Sequence, residues 1–264
     1  MIKAPKSLFS CLFVLSLTGC PFSKGTGTSD SNSSGANARL VMFIGMDISG
    51  SFASKWYFKD SIRFLSRYIY AHLNGLGGLE VPHSLFVGSI GGATADEPKT
   101  FYPIHTFQHR SIKEIEIELR QIFPKKTRNP FTDYNAFFDQ VSVFVKNKKL
   151  VMKPISIVMF SDGIPDAPKK NGKHDYRSIK LRALENLARD ITVRVLYTSA
   201  PVGINWQTKV PRQRVKVWTQ DANVMKGWKD KHILLPRKKF KTQKRFFSWI
   251  HDNVDFKVPR KRID

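Results

Sequence analysis

The stretch "MFIGMDISGS", Met42–Ser51, is an apolar run that ends in one acid and two hydroxyls at alternate positions. The longer run 39–46, "RLVMFIGM", is continuous and partly β-branched, which is typical of a strand buried on both faces. In an extended chain, alternate side chains point to one side, so Asp47, Ser49 and Ser51 would share a face. We therefore expect a polar site where this buried strand stops.

The overall composition is that of a globular, strongly basic chain. Its 264 residues are 41% hydrophobic and 12% aromatic, which allows one large domain with appendages or two small domains. The net charge is +23, and 201–264 alone holds seventeen Lys and Arg against five acids. Such an excess attracts anionic polymers, anionic lipid or acidic protein surfaces, and it does not determine the fold.

The N-terminus has the layout of a secretory signal. Leu8–Leu17 is apolar but too short for a permanent membrane span, and "LTGC", Leu17–Cys20, follows at its end. This segment resembles the lipobox of bacterial lipoproteins, which implies that 1–19 is removed and that Cys20 carries the lipid. The alternative is an uncleaved apolar N-terminus with an incidental cysteine.

Residues 20–38 follow as a Ser/Gly/Thr/Asn-rich segment that we interpret as the lipidated cysteine and a flexible tether. The chain has two cysteines, Cys11 and Cys20, so none would remain for a disulfide in the mature protein. These features predict a lipid-anchored protein of the bacterial cell envelope. Pro21 after the cysteine favours the outer membrane if the cell is Gram-negative.

The rest of the chain alternates between strand patterns and helix patterns. The predicted strands are 39–46, 83–90, an edge strand at 100–107, 153–163, 191–198 and a short one at 232–236. The predicted helices are 58–73, 111–123, a helix entered from the loop in 129–147, and helices near 178–189, 214–225 and 243–251. This order predicts an α/β fold, doubly wound, with a mainly parallel central sheet and helices on both faces.

Two further segments end in polar residues that could join the first site. "MFSDG" places Asp162 just after an apolar strand, and "NPFTDY" places Thr132 and Asp133 in a loop that opens a helix. Ligands of open parallel sheets bind beyond the carboxyl ends of the strands, where these loops would meet. Hydroxyl and carboxylate oxygens are ligands for hard cations, so we expect Mg²⁺ first, with Mn²⁺ or Ca²⁺ as alternatives.

These residues resemble the von Willebrand factor A (vWA) domain family and its metal-ion-dependent adhesion site. The family pattern D-x-S-x-S is complete in Asp47–Ser51, and Thr132 and Asp162 match the later threonine and aspartate. The resemblance covers roughly 39–251. It implies direct metal ligation by Ser49, Ser51 and Thr132, outer-shell roles for the two aspartates, and a protein partner that supplies an acidic group.

Each of these residues also has a structural interpretation. Ser51 could cap the following helix, Asp162 could stabilise the turn before Gly163, and Thr132 or Asp133 could cap a helix of its own. Asp166 could join the outer shell or remain a loop acid. These alternatives stay open at the level of sequence.

The C-terminal part interleaves cations with aromatic residues, and 252–264 reads as a basic tail. The candidate polyanion-binding residues are Arg237, Lys238, Lys239, Lys241, Lys244 and Arg245. A helix with buried aromatics and a solvated basic face is the simpler interpretation.

Two functional hypotheses follow. The first is a lipid-anchored binding module that captures a protein through a divalent cation. The second is a polyanion-binding envelope protein that recognises nucleic acid, lipopolysaccharide or the membrane surface, for example in DNA transfer or surface assembly. No nucleophile–base pair or catalytic acid pair is evident in the sequence, so we do not expect an enzyme.

Overall fold

The computed structural model describes residues 39–92, 99–124, 132–166 and 174–256. The predicted signal peptide, Cys20 and the tether, together with 257–264 of the predicted tail, lie outside these residues. Within the described stretches, no helix is both long enough and apolar enough to cross a membrane.

A mainly parallel sheet lies at the centre of the described part of the chain. Its strands are β1 (Val41–Asp47), β2 (Ser84–Ile90), β3 (Tyr102–Pro103), β4 (Ile155–Phe160), β5 (Ile191–Thr198) and β6 (Lys216–Asp221). The strand order is β3-β2-β1-β4-β5-β6. All neighbouring pairs are parallel except β2 and β3, which are antiparallel. The predicted sheet is confirmed, with β1 in its interior.

Helices cover both faces of this sheet. They are α1 (Gly50–Ala53), α2 (Trp56–Leu73), α3 (Ile112–Ile122), α4 (Tyr134–Asn147), α5 (Arg182–Glu185), α6 (Ala200–Lys209), α7 (Ala222–Lys226) and α8 (Lys244–Asn253). One core contains α2, α3, α7 and α8, and the other contains α4, α5 and α6. The fold is therefore doubly wound α/β, as the sequence predicts.

The central strand shows why the apolar run has no polar face. Met42, Ile44 and Met46 belong to the core on one side of the sheet, whereas Val41 and Phe43 belong to the core on the other side. All seven residues of β1 are buried. A strand covered on both faces requires an apolar residue at nearly every position.

Two helix starts follow the capping rules. Ser111 accepts from the backbone N–H of Glu114, and the Glu114 side chain accepts from the backbone N–H of Ser111, so the capping box of α3 is present. Asp133 caps α4 by accepting from the N–H of Ala136 at 2.9 Å. The helical interpretation of 111–123 is therefore confirmed over its strand-like alternation.

The elements near the C-terminal half differ from the prediction in several places. The predicted helix near 178–189 is reduced to the single turn α5, and α6 was not predicted at all. The predicted helix 214–225 is wrong, because 216–221 forms the edge strand β6 and only α7 is helical. The third predicted strand shrinks to the two residues of β3.

The predicted strand 232–236 is also wrong. The Asp230 side chain accepts from the N–H of His232 at 2.7 Å, and the Asp230 carbonyl accepts from Ile233 and Leu234 at 2.9 and 2.8 Å. These bonds close a turn. They use the N–H groups of residues 232–234 within the turn, so these groups do not pair with a neighbouring strand. Its apolar side chains instead pack against the core that contains α8.

Candidate metal centre

The site begins where the two neighbouring strands β1 and β4 end. Met46 is paired with Phe160 in the parallel register, so the residues that follow each strand emerge side by side. Asp47 is the last residue of β1, and Ser161 and Asp162 come directly after β4. The topology thus brings together the two acids that the sequence singles out.

Asp47 is held in a fixed orientation by hydrogen bonds to both carboxylate oxygens. Its Oδ1 accepts from the backbone N–H of Ser49 at 2.8 Å, and its Oδ2 accepts from the Ser161 hydroxyl at 2.6 Å. Burial raises the pKa of Asp47 to about 6, against the lowering effect of these bonds, and the neighbouring charge of Asp162 adds to the increase. A nearby cation would relieve this unfavourable burial of negative charge.

The two serines of the D-x-S-x-S pattern lie together. Ser49 Oγ and Ser51 Oγ are 3.1 Å apart, with Ser49 buried and Ser51 exposed. Ser49 is the N-cap residue of α1, yet its side chain makes no capping hydrogen bond, and Ser51 lies inside that helix. The proposed capping role of Ser51 is therefore not what the structure shows. The two hydroxyls instead form a neutral oxygen pair beside Asp47.

Asp162 has two partners. Its Oδ1 accepts from the N–H of Ile164 at 3.2 Å, which confirms a turn-stabilising role. Its Oδ2 is 3.3 Å from the ammonium nitrogen of Lys55, a residue that the sequence interpretation missed. The Asp162 side chain is only 5% exposed, so this carboxylate contacts a cation in a largely desolvated place.

Thr132 lies two residues before α4, in the loop that leads into that helix. It is buried, and its carbonyl accepts from the N–H of Asp166 at 3.4 Å, so its loop lies beside the loop after β4. Asp133, rather than Thr132, caps the helix through its side chain. The structure thus brings the Thr132 loop to the Asp162 loop, and metal ligation by Thr132 stays a prediction.

A second layer of contacts supports the acids and was also missed from sequence. Ser161 Oγ accepts from the N–H of Gly163 at 3.0 Å and lies 2.6 Å from the Tyr134 hydroxyl. Because the Ser161 proton is donated to Asp47, the Tyr134 hydroxyl must be the donor in its bond to Ser161. Burial, and then the charges of Asp47 and Asp162, raise the pKa of Tyr134 well above its usual value, so that proton is retained.

The donor set fits a hard divalent cation. Two aspartate carboxylates and neutral serine hydroxyls supply oxygen, and the Lys55 ammonium already occupies a cation position next to Asp162. Among the described residues there is no group of three or more His, Cys, Asp and Glu side chains that could hold a metal. A site here would therefore depend on hydroxyl oxygens, as the sequence pattern predicts.

The predicted polyanion-binding residues lie elsewhere, in the segment 231–251, which we call the basic segment. It contains seven Lys and Arg and no Asp or Glu. The seven are Lys231, Arg237, Lys238, Lys239, Lys241, Lys244 and Arg245. Within the described part of the chain none of them forms an ion pair with an acid.

The loop of this segment has a defined conformation. The buried side chain of Gln243 donates to the carbonyls of Leu235 and Lys238 at 2.8 and 3.2 Å and accepts from the N–H of Leu235 at 2.9 Å. The ring of Phe240 packs against Phe246, with centroids 5.4 Å apart. The predicted burial of the aromatic residues of α8 is confirmed. Four of the seven cations, Arg237, Lys238, Lys239 and Lys241, lie in the loop that the Gln243 contacts close.

Comparisons with known proteins give distant structural similarities. No protein-family model matches the chain, and no match is found among curated proteins. The pilus adhesin SpaC from Lactobacillus rhamnosus GG is 9% identical, with a TM-score of 0.47, over 73% of this chain and 30% of that one. Human COPII-coat protein Sec24c is 11% identical, with a TM-score of 0.44, over 70% and 30% of the two chains.

A third similar structure is proximal thread matrix protein 1 from the mussel byssus, described with a zinc-occupied MIDAS motif. It is 12% identical, with a TM-score of 0.40, over 80% of this chain and 46% of that one. The present chain thus spans less than half the length of each of the three proteins. Similarity at this level does not assign a family or a function.

Proposed function

We propose that this chain is a vWA-like binding module that captures a protein partner through a divalent cation. The cation would be held by Asp47, Ser49, Ser51, Thr132 and Asp162, with Mg²⁺ as the first choice and Mn²⁺ or Ca²⁺ as alternatives. The observation that carries this proposal is the meeting of two buried acids and a serine hydroxyl pair at adjacent strand ends.

The chemistry of such a site follows from its donors. A cation held largely by neutral oxygens keeps much of its positive charge, and it would supply an open position for an acidic group of the partner. In this chain, Ser161 and Ser49 orient Asp47, and the turn at Ile164 orients Asp162. These contacts favour one arrangement of the ligands before any cation binds.

We propose a binding role rather than a catalytic one. The serine hydroxyls at the site bond to each other, to a carboxylate or to a tyrosine, which is how supporting groups are arranged around a cation. A nucleophile would need a base such as histidine within hydrogen-bond reach. Turnover of any substrate in proportion to the protein would contradict this interpretation.

We further propose that the module is tethered to the cell envelope by lipid on Cys20, at the outer membrane if the cell is Gram-negative. This rests on the sequence layout of 1–38, which lies outside the described residues. Metabolic labelling with a radiolabelled fatty acid tests it. The wild-type protein should take up label and Cys20→Ala should not, whereas a labelled Cys20→Ala protein would contradict the anchor.

The metal site is tested by titration calorimetry of the full chain with Mg²⁺, Mn²⁺ and Ca²⁺. Thr132→Val removes the predicted ligand oxygen and keeps the side-chain shape, whereas Thr132→Ser keeps the oxygen. We expect wild type and Thr132→Ser to bind at least one cation, and Thr132→Val to bind it at least tenfold more weakly, roughly the loss of one good ligand. Failure of all three cations to bind would refute the site.

Partner capture is the second half of the test. Proteins retained from envelope extracts by the wild-type chain should be released by EDTA and should remain bound at moderate salt, because coordination, unlike surface charge attraction, is weakly screened. Thr132→Val should retain less of the same proteins. Capture that survives EDTA unchanged would rule out a metal-dependent mechanism.

The basic segment supports a second candidate function, the binding of an anionic polymer or an anionic membrane surface. The seven cations form no ion pair with an acid in the described part of the chain, so their charges repel one another, and the Gln243 contacts fix the loop that carries four of them. A polyanion would relieve this repulsion and release its own counter-ions. The cations of the segment would then be binding groups rather than a solvated helix face.

This second candidate is tested with short single-stranded DNA, lipopolysaccharide and vesicles that contain anionic lipid. Replacing Lys238, Lys239 and Lys241 by Gln should weaken binding and flatten its dependence on salt. Replacing Lys146, Lys148 and Lys149 by Gln is the matched control, since it removes the same charge from an exposed cluster elsewhere. Equal losses in both triple variants would show that only net charge matters and would reject a specific surface.

A further inference from the structure

Lys55 lies between the D-x-S-x-S loop and α2 and contacts the candidate metal site directly. Its ammonium nitrogen is 3.3 Å from Asp162 Oδ2 and 5.4 Å from the centroid of the Tyr57 ring. The Lys55 side chain is 42% exposed, whereas that of Asp162 is 5% exposed. A half-exposed lysine thus reaches inwards to a nearly buried carboxylate.

The charge balance of the site explains this contact. Asp162 and Asp47 lie close enough for the charge of Asp162 to raise the pKa of Asp47. In the described part of the chain, Lys55 is the cationic side chain that pairs with either of these two acids. Its ammonium therefore offsets part of the negative charge that a divalent cation would otherwise have to neutralise.

We propose that Lys55 is a built-in counter-ion that competes with the divalent cation for Asp162 and thereby sets the metal affinity of the site. This inference rests on the metal site proposed above. In the metal-free protein the ammonium stabilises Asp162. When a cation binds, the flexible four-carbon stem lets the ammonium move out to solvent, because nearly half of the side chain is already exposed.

If Lys55 competes with the cation, removing its charge should lower the stability of the metal-free protein and raise its metal affinity. Removing the ammonium leaves Asp162 without its counter-ion, so the metal-free protein should lose stability. The same change removes the competitor and the repulsion between ammonium and cation, so metal affinity should increase. A lysine that only packed against Tyr57 would produce neither the gain in affinity nor a dependence on its charge.

The experiment compares three single variants of the full chain. Lys55→Met keeps the length of the stem and removes the charge, and Lys55→Arg keeps the charge. Lys59→Met is the matched control, since Lys59 is exposed in the first turn of α2, four residues after Lys55, and has no ion pair with an acid in the described residues. Mn²⁺ and Mg²⁺ affinities are measured by titration calorimetry, and thermal unfolding is followed in EDTA and in excess Mn²⁺.

We expect Lys55→Met to bind Mn²⁺ about tenfold more tightly than wild type, with Lys59→Met and Lys55→Arg within about threefold of wild type. In EDTA, Lys55→Met should unfold at a lower temperature than Lys59→Met, and Mn²⁺ should raise its unfolding temperature by the larger amount. Binding by Lys55→Met that is no tighter than by Lys59→Met overturns the proposal while leaving the metal site intact. If none of the four proteins binds a cation, the metal site itself is refuted, and this proposal with it.

Discussion

The hydroxyl of Ser161 donates to Asp47 Oδ2 over 2.6 Å and so joins the ends of two neighbouring strands across 114 residues of sequence. The same oxygen accepts from the Gly163 N–H and the Tyr134 hydroxyl. Ser161 therefore connects the first acid of the candidate site to the loop that carries the second. The orientation of the site depends on this contact before any ligand arrives.

Replacing Ser161 by Ala should weaken the site without removing a predicted ligand. The change removes the Ser161 oxygen as the partner of Asp47 Oδ2, the Tyr134 hydroxyl and the Gly163 N–H, which we expect to cost about 2 kcal/mol of unfolding free energy. Because Asp47 loses the hydrogen bond that orients its carboxylate, metal affinity should also fall by roughly 10- to 100-fold. Losses of this size are usual when a hydrogen bond to a metal ligand is removed. Urea denaturation and calorimetry measure the two effects.

Tyr134→Phe is the control for this variant. It removes the outer hydroxyl and keeps the Ser161–Asp47 bond, so we expect metal affinity within about threefold of wild type. Equal metal affinities of Ser161→Ala and Tyr134→Phe would show that the bond to Asp47 does not orient the site.

Gly163 should tolerate no side chain. Its φ of +77° is in the left-handed region, and a Cβ there would lie 2.9 Å from Thr198 Cγ2 and from Val202 Cγ1. Its carbonyl also accepts from the Trp206 indole at 2.7 Å. Gly163→Ala should therefore shift the Asp162 loop, destabilise the fold by roughly 2 kcal/mol and weaken metal binding.

Gly50→Ala tests whether this effect is specific. Gly50 lies between the two serines of the site, where a Cβ would meet no atom within 4 Å. We expect unchanged stability within about 0.5 kcal/mol and unchanged metal affinity. If Gly50→Ala and Gly163→Ala lost stability and metal affinity to a similar extent, the effect would not be specific to the strained turn at Gly163. Any side chain added near the site would then be harmful.

A buried glutamate outside the site determines where β6 begins. The Glu185 carboxylate accepts from the backbone N–H groups of Gln213, Arg214 and Val215 at 2.8, 2.7 and 3.3 Å. Glu185→Gln replaces one acceptor with an amide that faces these donors, so we expect a loss of about 2 to 3 kcal/mol in urea denaturation.

Glu118→Gln is the matched control for Glu185. Glu118 pairs with Arg110 at the protein surface, and loss of such a pair changes stability by less than about 1 kcal/mol. A Glu185→Gln variant as stable as Glu118→Gln would show that the three backbone contacts do not hold the turn.

The same glutamate shows why β6 was not predicted from sequence. The segment 214–225 carries apolar residues at spacings that fit a helix, yet Val215, Val217 and Thr219 alternate inwards once the turn is fixed by Glu185. Pairing with β5 then satisfies its backbone. The segment carries both a helical spacing and a strand alternation of apolar residues. The contact with Glu185, about thirty positions earlier, decides between them.

Helix α6 was not predicted from the sequence for a different reason. Its sequence contains Pro201 and Gly203, which lower helix propensity, and Pro201 is tolerated because it lies in the first turn. Gly203 is required by packing, since a Cβ there would lie 2.8 Å from Thr219 Oγ1. The close approach of helix and strand is a tertiary feature with no local signal.

The candidate site was predictable only in part. Asp47 ends one buried strand and Asp162 comes two residues after another, and strand ends are where a parallel sheet places its ligands. Ser161 and Lys55 carry no such signal, because a serine before an acid and a lysine before a helix are common. Their roles depend on side-chain contacts across the fold.

The last prediction concerns acid stability and the end of α8. Asp255 accepts from the Tyr68 hydroxyl at 2.7 Å through Oδ1 and contacts His72 Nε2 at 2.9 Å through Oδ2. Burial alone would raise the pKa of Asp255, but the facing His72, with Arg194 and the Tyr68 hydroxyl, lowers it below its ordinary value of 3.8. The ionised carboxylate is therefore the form that the fold stabilises.

The sign of the pH dependence follows from this lowered pKa. A carboxylate with a lower pKa in the folded state contributes stability above its unfolded pKa of 3.8, and that contribution disappears as the pH falls through the folded value. Asp255→Asn should thus cost about 3 kcal/mol near neutral pH, and the difference from wild type should shrink below about pH 4. Urea denaturation between about pH 3 and pH 7 measures both quantities.

Asp252→Asn is the control, because Asp252 is exposed in α8, three residues before Asp255, and its removal changes net charge equally. We expect its unfolding free energy to stay within about 0.5 kcal/mol of wild type at every pH. If Asp255→Asn differed from wild type by the same amount at acidic and neutral pH, the loss would come from packing rather than charge. The negative charge of Asp255 would then not be what stabilises the contact between the chain after α8 and helix α2.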